Sequence, residues 1–132
     1  MKVDISKKHT FVVCAYKESQ YLEECIQSVL NQNVKSKVII STGTPNSYIK
    51  EIAEKYKLQL FVNPNPSSLA SDWNFAMSCA ETELITLAHQ DDVYEKGYSE
   101  NIWKAYNKSK NPIILFSDYA ELRDGKIVLK NK

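Results

Sequence analysis

The sequence predicts an α/β domain built as a doubly wound, mostly parallel sheet with helices on both faces. Three observations carry this. Short apolar runs rich in Val, Ile, Leu and Phe recur along the chain, stretches of helical periodicity separate them, and a polar cluster follows each run at its carboxyl end. Runs that are apolar throughout, without alternation, belong to strands covered on both faces. Right-handed crossovers between parallel strands then place helices on either side of the sheet.

Thr10 to Tyr16 is the first such run. A helix follows a Ser19 cap, with Leu22, Cys25, Ile26, Val29 and Leu30 at i, i+3, i+4 spacing. Lys37 to Thr42 forms the second strand. Thr44-Pro45, a cap followed by proline at the first helical position, opens a helix that buries Ile49, Ile52, Ala53 and Tyr56. Leu58 to Val62 is the third strand. After Ser67-Ser68 comes a helix with Leu69, Trp73, Ala76, Met77 and Ala80 on one face; Glu83 to His89 is the fourth strand. A fourth helix, from about Glu95 to Lys108, buries Tyr98, Ile102, Ala105 and Tyr106, and Pro112 to Tyr119 makes a fifth strand. The order is βαβαβαβαβ. Ala120 to Val128 then reads as a hairpin, because Asp124-Gly125 is a strong two-residue turn. With no internal repeat, low-complexity tract or linker, residues 1–132 are expected to form a single domain, cut from a larger protein near a domain edge.

Composition narrows the function. The chain is 43% hydrophobic and 25% charged, ordinary for a globular domain, and 17 basic against 16 acidic side chains leave a formal net charge of +1. No charge-driven attraction to nucleic acid or to an anionic membrane is expected. No transmembrane segment can be written, and Met1-Lys2-Val3-Asp4 lacks the apolar stretch of a signal peptide, so the expected location is the cytoplasm or the cytoplasmic face of the membrane. Cys14, Cys25 and Cys79 are odd in number, lack Cys-x-x-Cys spacing and lie in apolar patterns, which suits reduced core residues.

The richest stretch is Leu84-Ile85-Thr86-Leu87-Ala88-His89-Gln90-Asp91-Asp92, a buried strand that stops at two adjacent carboxylates. Two carboxylates side by side repel unless a cation lies between them, so a divalent metal site is the first reading. Taken alone, the pair reads more simply as a solvated loop with a helix cap. The other strands end in Ala15-Tyr16-Lys17-Glu18, Ser41-Thr42-Gly43-Thr44, Asn63-Pro64-Asn65 and Ser117-Asp118. These groups converge on the edge where open α/β sheets bind ligands. Only Gly43, Gly97 and Gly125 are present, so neither a G-x-G-x-x-G turn nor a P-loop exists, and a phosphate must be neutralised by a metal held on carboxylates. A receiver-type phosphoacceptor domain would need its acidic pair at the end of the first strand, where Tyr16-Lys17 stands.

From Phe11 to about Gly125 the residues resemble the amino-terminal, nucleotide-sugar-binding half of a family 2 glycosyltransferase with the Rossmann-like GT-A fold. Phe11-Val12-Val13-Cys14-Ala15-Tyr16-Lys17-Glu18 resembles that family's opening strand and its aromatic-Asn-Glu turn. Tyr21 to Gln32 is similar to its first helix, in which a leucine, an apolar pair, a serine and a closing glutamine recur. Ala70-Ser71-Asp72-Trp73-Asn74-Phe75-Ala76 matches a helix with an asparagine and small residues, and Leu87 to Asp92 falls on the DxD region.

The resemblance implies a transferase that moves a sugar from a nucleoside diphosphate sugar to a carbohydrate or lipid-linked acceptor, with inversion, as in polysaccharide biosynthesis. It implies Mn²⁺ or Mg²⁺ on Asp91 and Asp92. The residues expected around the donor are Ala15, Tyr16, Glu18, Thr42, Asp72, Asn74, His89, Gln90 and Asp91. Tyr16 and Glu18 would border base and ribose, and Asp72 and Asn74 would reach pyrophosphate or sugar. Trp73 is expected in the core.

Two positions depart from the family's pattern. The second strand usually ends in an acidic pair near the uracil, where this chain has Ser41-Thr42-Gly43-Thr44, and His89 replaces the first Asp of the DxD. The base that deprotonates the acceptor is expected beyond Lys132, together with the acceptor site, with Asp118 a weaker candidate inside the chain. The chain alone is therefore expected to be inactive. The competing class is a non-catalytic nucleotide- or sugar-binding module that has kept the fold without the chemistry. A pyrophosphate-forming nucleotidyltransferase would need a Gly-rich, basic loop after the first strand, which is absent.

Overall fold

A computed structural model describes residues 3–66, 68–108, 119–123 and 126–130. The elements run β1 (Val3–Asp4), β2 (His9–Ala15), α1 (Leu22–Leu30), β3 (Val34–Lys35), β4 (Lys37–Thr42), α2 (Ser47–Lys55), β5 (Leu60–Val62), α3 (Leu69–Cys79), β6 (Leu84–His89), α4 (Tyr98–Lys108), β7 (Tyr119–Arg123) and β8 (Lys126–Lys130). The main sheet has six strands in the order β5-β4-β2-β6-β8-β7. All pairings are parallel except β7 with β8.

The chain winds outward from β2 through β4 to β5, then crosses back to place β6 on the other side of β2. The winding reverses between β2 and β6, and such a switch point opens a crevice outside the strands' carboxyl ends. The fold class is the expected one.

Side-chain alternation along β2 sorts the core into two layers. Phe11, Val13 and Ala15 pack with Val38 and Ile40 of β4 against Leu22, Cys25, Ile26 and Val29 of α1 and Ile49, Ile52 and Ala53 of α2. Val12, Ile39, Ile85 and Leu87 face the opposite way, against Ala76 and Ala80 of α3. Both faces of β2 and β6 are thus covered, which is why these strands are mostly apolar, with His9, Thr10 and Thr86 as buried polar exceptions; each fully buried aliphatic side chain contributes roughly 1.5–3 kcal/mol.

Several local expectations change. Ser19 is not the N-cap of α1: that position is Tyr21, whose backbone N–H donates to Ser19 Oγ at 3.2 Å. Leu30 is exposed at the helix end. In α2 the cap is Asn46, one residue beyond Pro45, and its Oδ1 accepts from Ile49 N at 2.8 Å. The third strand is shorter than expected and only partly covered, because β5 is the sheet edge. A small parallel pair, β1 with β3, was not foreseen, since two-residue strands carry no period. α3 begins after Ser68, as expected, and Ser68 Oγ caps it by accepting from Ser71 N at 3.1 Å. The expected fifth strand lies outside the described residues apart from Tyr119, which opens β7. The Asp124-Gly125 turn also lies outside them, but Arg123 stands opposite Lys126, the register a two-residue turn requires.

Candidate functional site

The crevice at the switch point is a cavity of about 720 Å³ on the α3 side of the sheet. Its floor is one row of the sheet: Cys14 stands opposite Ser41 of β4 and opposite His89 of β6. Burial pushes the Cys14 thiol up to about 12, so this floor position is an uncharged thiol and not a nucleophile. Ala15, Tyr16, Thr42, Gly43, Thr44, Gln90 and Asp91 continue the wall beyond the strand ends, and α3 contributes Asp72, Trp73 and Phe75.

Backbone and side chain lock the rim. Past the last backbone pairing of β2 with β6, the Gln90 amide completes the ladder: Tyr16 N donates to Oε1 at 2.8 Å, and Nε2 donates to Tyr16 O at 3.0 Å. On the other side of β2, Lys17 N donates to Thr44 Oγ1 at 2.6 Å, and Asn46 Nδ2 donates to Lys17 O at 3.0 Å. These bonds hold Lys17 at φ 53°, a left-handed conformation unusual for a residue with a side chain. Tyr16 is half exposed at the mouth, with Lys17 Nζ 5.0 Å from its ring centre.

α3 lies across the top of the crevice. Trp73 packs on the His89 ring, centroids 5.3 Å apart, while also meeting the Ala76–Leu87 cluster. It is therefore shared between core and cavity wall, where the sequence suggested core alone. One residue earlier, Asp72 reaches over β4, where its Oδ1 accepts from Asn63 Nδ2 at 2.8 Å. A Cβ at Gly43 would collide with that carboxylate and come within 2.8 Å of Pro66 Cβ, so glycine is required by proximity there.

Of the residues expected around the donor, Ala15, Tyr16, Thr42, Asp72, His89, Gln90 and Asp91 line this one cavity. Glu18 and Asn74 are exposed and not among its lining. Gln90 is there as a clamp on Tyr16. Asp118 lies outside the described residues. Gly43 and Asn63 stand in the strand-end clusters but not among the residues expected around the donor, yet both shape the site; the lone glycine after β4 is the available signal.

Asp91 is exposed on the cavity wall, whereas Asp92 is half-buried and not among the lining residues. Burial raises the Asp92 carboxyl above its usual range; His89 pulls it down and the Asp91 charge pushes it up again. Among the described residues, no three His, Cys, Asp or Glu side chains gather to hold a metal unaided. With Asp91 alone of the pair on the cavity wall, the residues fit an ion that takes most of its ligands from phosphate oxygens and water, the ordinary arrangement for Mg²⁺ in nucleotide sites, and not an all-protein cage.

The model of the family described as Glycosyl transferase family 2 matches residues 10–127, nearly the whole chain. The chain belongs to glycosyltransferase family 2. Among its relatives, the minor teichoic acid biosynthesis protein GgaB of Bacillus subtilis (strain 168) is 27% identical over 128 residues, covering 89% of this chain and 14% of that protein. An uncharacterized glycosyltransferase of Haemophilus influenzae is 26% identical over 117 residues, covering 84% and 36%. Glycosyltransferase GlyA of Streptococcus pneumoniae serotype 4 is 25% identical over 105 residues, covering 76% and 15%. This family 2 chain thus spans between 14% and 36% of the length of these three relatives. The crystal structure of S. aureus TarS shares its fold, with a TM-score of 0.68 at 20% identity over 76% of this chain and 20% of that one. No helix among the described residues is long and apolar enough to cross a membrane.

Proposed function

We propose that this family 2 domain binds a nucleoside diphosphate sugar across the switch point and belongs to an enzyme that passes the sugar to an acceptor hydroxyl with inversion. The observation that carries the reading is the cavity that gathers the carboxyl ends of β2, β4 and β6 with the Asp91 carboxylate on its wall. Asp91, with Asp92 beside it, would hold Mn²⁺ or Mg²⁺ against the diphosphate. When bound, the ion acts as a Lewis acid on the leaving diphosphate, where negative charge grows in the transition state.

The chain's own residues do the positioning. Asp91 and His89 mark the phosphate end of the crevice, Trp73 covers it from above, and the strand ends of β2 and β4 take the nucleoside. In the transfer, the acceptor oxygen forms a bond to the anomeric carbon as the bond to the diphosphate breaks, and the hydroxyl proton passes to a base. We place that base and the acceptor site outside the cavity described, so radiolabelled donors and an acceptor panel should yield no glycoside with this chain alone. Polysaccharide assembly at the cytoplasmic face of the membrane is the setting this reading suits, in line with the teichoic acid role named for GgaB.

Calorimetry tests the donor reading. Nucleoside diphosphate binding should need Mn²⁺ or Mg²⁺ and vanish in Asp91→Ala, while the unfolding midpoint stays unchanged because the side chain is exposed. Metal-independent binding of equal strength would refute it.

A further inference from the structure

We propose that Asp72 selects the base of the bound nucleotide, accepting a hydrogen bond from a ring N–H and so favouring uracil, thymine or guanine over cytosine and adenine. The inference rests on the donor reading above. β4 and β6 are separated by β2, so the Gly43 end of the cavity lies two strand spacings, about 10 Å, from the Asp91 end. With the diphosphate at Asp91, the ribose crosses β2 and the base reaches β4. Around that end the β4 segment offers only hydroxyls, on Ser41, Thr42 and Thr44, and α3 supplies the one carboxylate.

The geometry fixes what that carboxylate can do. Asn63 donates to Oδ1, and Asn63 is itself held, its backbone N–H donating to Thr42 O at 2.8 Å. Oδ2 receives no hydrogen bond from the described residues. Gly43 lets the carboxylate come this close to β4; any side chain would push it away. An ionised carboxylate accepts and cannot donate. It therefore matches a base edge that presents a ring N–H and opposes one that presents a ring nitrogen lone pair, as cytosine and adenine do.

The test is calorimetric titration of the whole chain with UDP, GDP, CDP and ADP in the presence of Mn²⁺. Wild type should bind UDP and GDP at least about tenfold more tightly than CDP and ADP, the scale of one charge-assisted hydrogen bond. In Asp72→Asn, Asn63 keeps the amide oxygen as its acceptor, so the NH₂ group turns to the base. The UDP-to-CDP ratio should then fall about tenfold or more, with CDP binding strengthened. Gly43→Ala, which keeps the Asp72 carboxylate but pushes it away from β4, should lower the same ratio and serves if Asp72→Asn fails to fold. Asp91→Ala should abolish binding of all four nucleotides alike. A wild type without base preference, or an Asp72→Asn that weakens every nucleotide equally, overturns the assignment and leaves the donor reading intact. If no nucleoside diphosphate binds wild type with Mn²⁺, the donor reading falls and this falls with it.

Discussion

Replacing His9 by glutamine should remove a large part of the chain's acid sensitivity, and the size of the effect follows from where the imidazole sits. His9 opens β2 at the sheet edge opposite the cavity and is fully buried. Its Nδ1 lies 2.6 Å from Ser36 Oγ and its Nε2 2.8 Å from Thr86 Oγ1, so one ring nitrogen donates and the other accepts. A neutral ring satisfies both partners. Burial accordingly pushes the pKa down from 6.5 to about 3. The folded-state value is the depressed one, so below pH 6.5 the unfolded chain takes up a proton that the folded chain refuses. The contribution to stability is full above that pH and shrinks as pH falls toward 3. Between about pH 7.5 and about pH 5, at 1.36 kcal/mol per pH unit below 6.5, the wild type should lose about 2 kcal/mol that His9→Gln does not. Urea unfolding of both proteins at the two pH values reads this difference directly, and carboxylates common to both cancel. Parallel losses would show that the imidazole is not held neutral in the interior, and the two hydrogen bonds would need another account.

Three further outcomes concern the frame around the cavity. Gln32→Ala should cost about 2–4 kcal/mol in denaturant unfolding, because Nε2 donates to Ser28 O at 3.0 Å and to Glu95 O at 2.7 Å while Oε1 accepts from the buried Ser99 N at 2.8 Å. Trp73→Ala should cost about 2 kcal/mol, less than for a fully buried tryptophan, and should also weaken nucleotide binding in calorimetry. Asp72→Ala should alter binding with little change in stability; equal falls in both midpoints would mean that α3 is rotated from the orientation described.

The sequence announced those parts of the fold whose physics is local or repetitive. β2, β4 and β6 were legible because coverage on both faces forces a mostly apolar run, and α1 and α2 because their buried residues keep a helical period. Caps were less legible: Ser19, Thr44 and Asn46 are all plausible caps, and the choice depends on how each loop closes. Asn46 wins in α2 because its side chain also reaches Lys17 O across the rim. At the site, the convergence of strand ends followed from topology, so most expected donor residues share one cavity. The exceptions have specific causes. Glu18 lies in the turn leading into α1, and Asn74 points to solvent from a helix whose neighbouring residues face the crevice. The approach of Asp72 to Gly43 depends on where α3 crosses β4, which no periodicity encodes.

The two Gln90 hydrogen bonds join the loop that carries Asp91 to the loop that carries Tyr16. A shift of the Tyr16 backbone must also shift Gln90, whose neighbour in the chain carries the Asp91 carboxylate. On the proposed donor reading, the nucleoside and phosphate ends of the crevice would be linked through this single amide, so that binding at one end would bear on binding at the other.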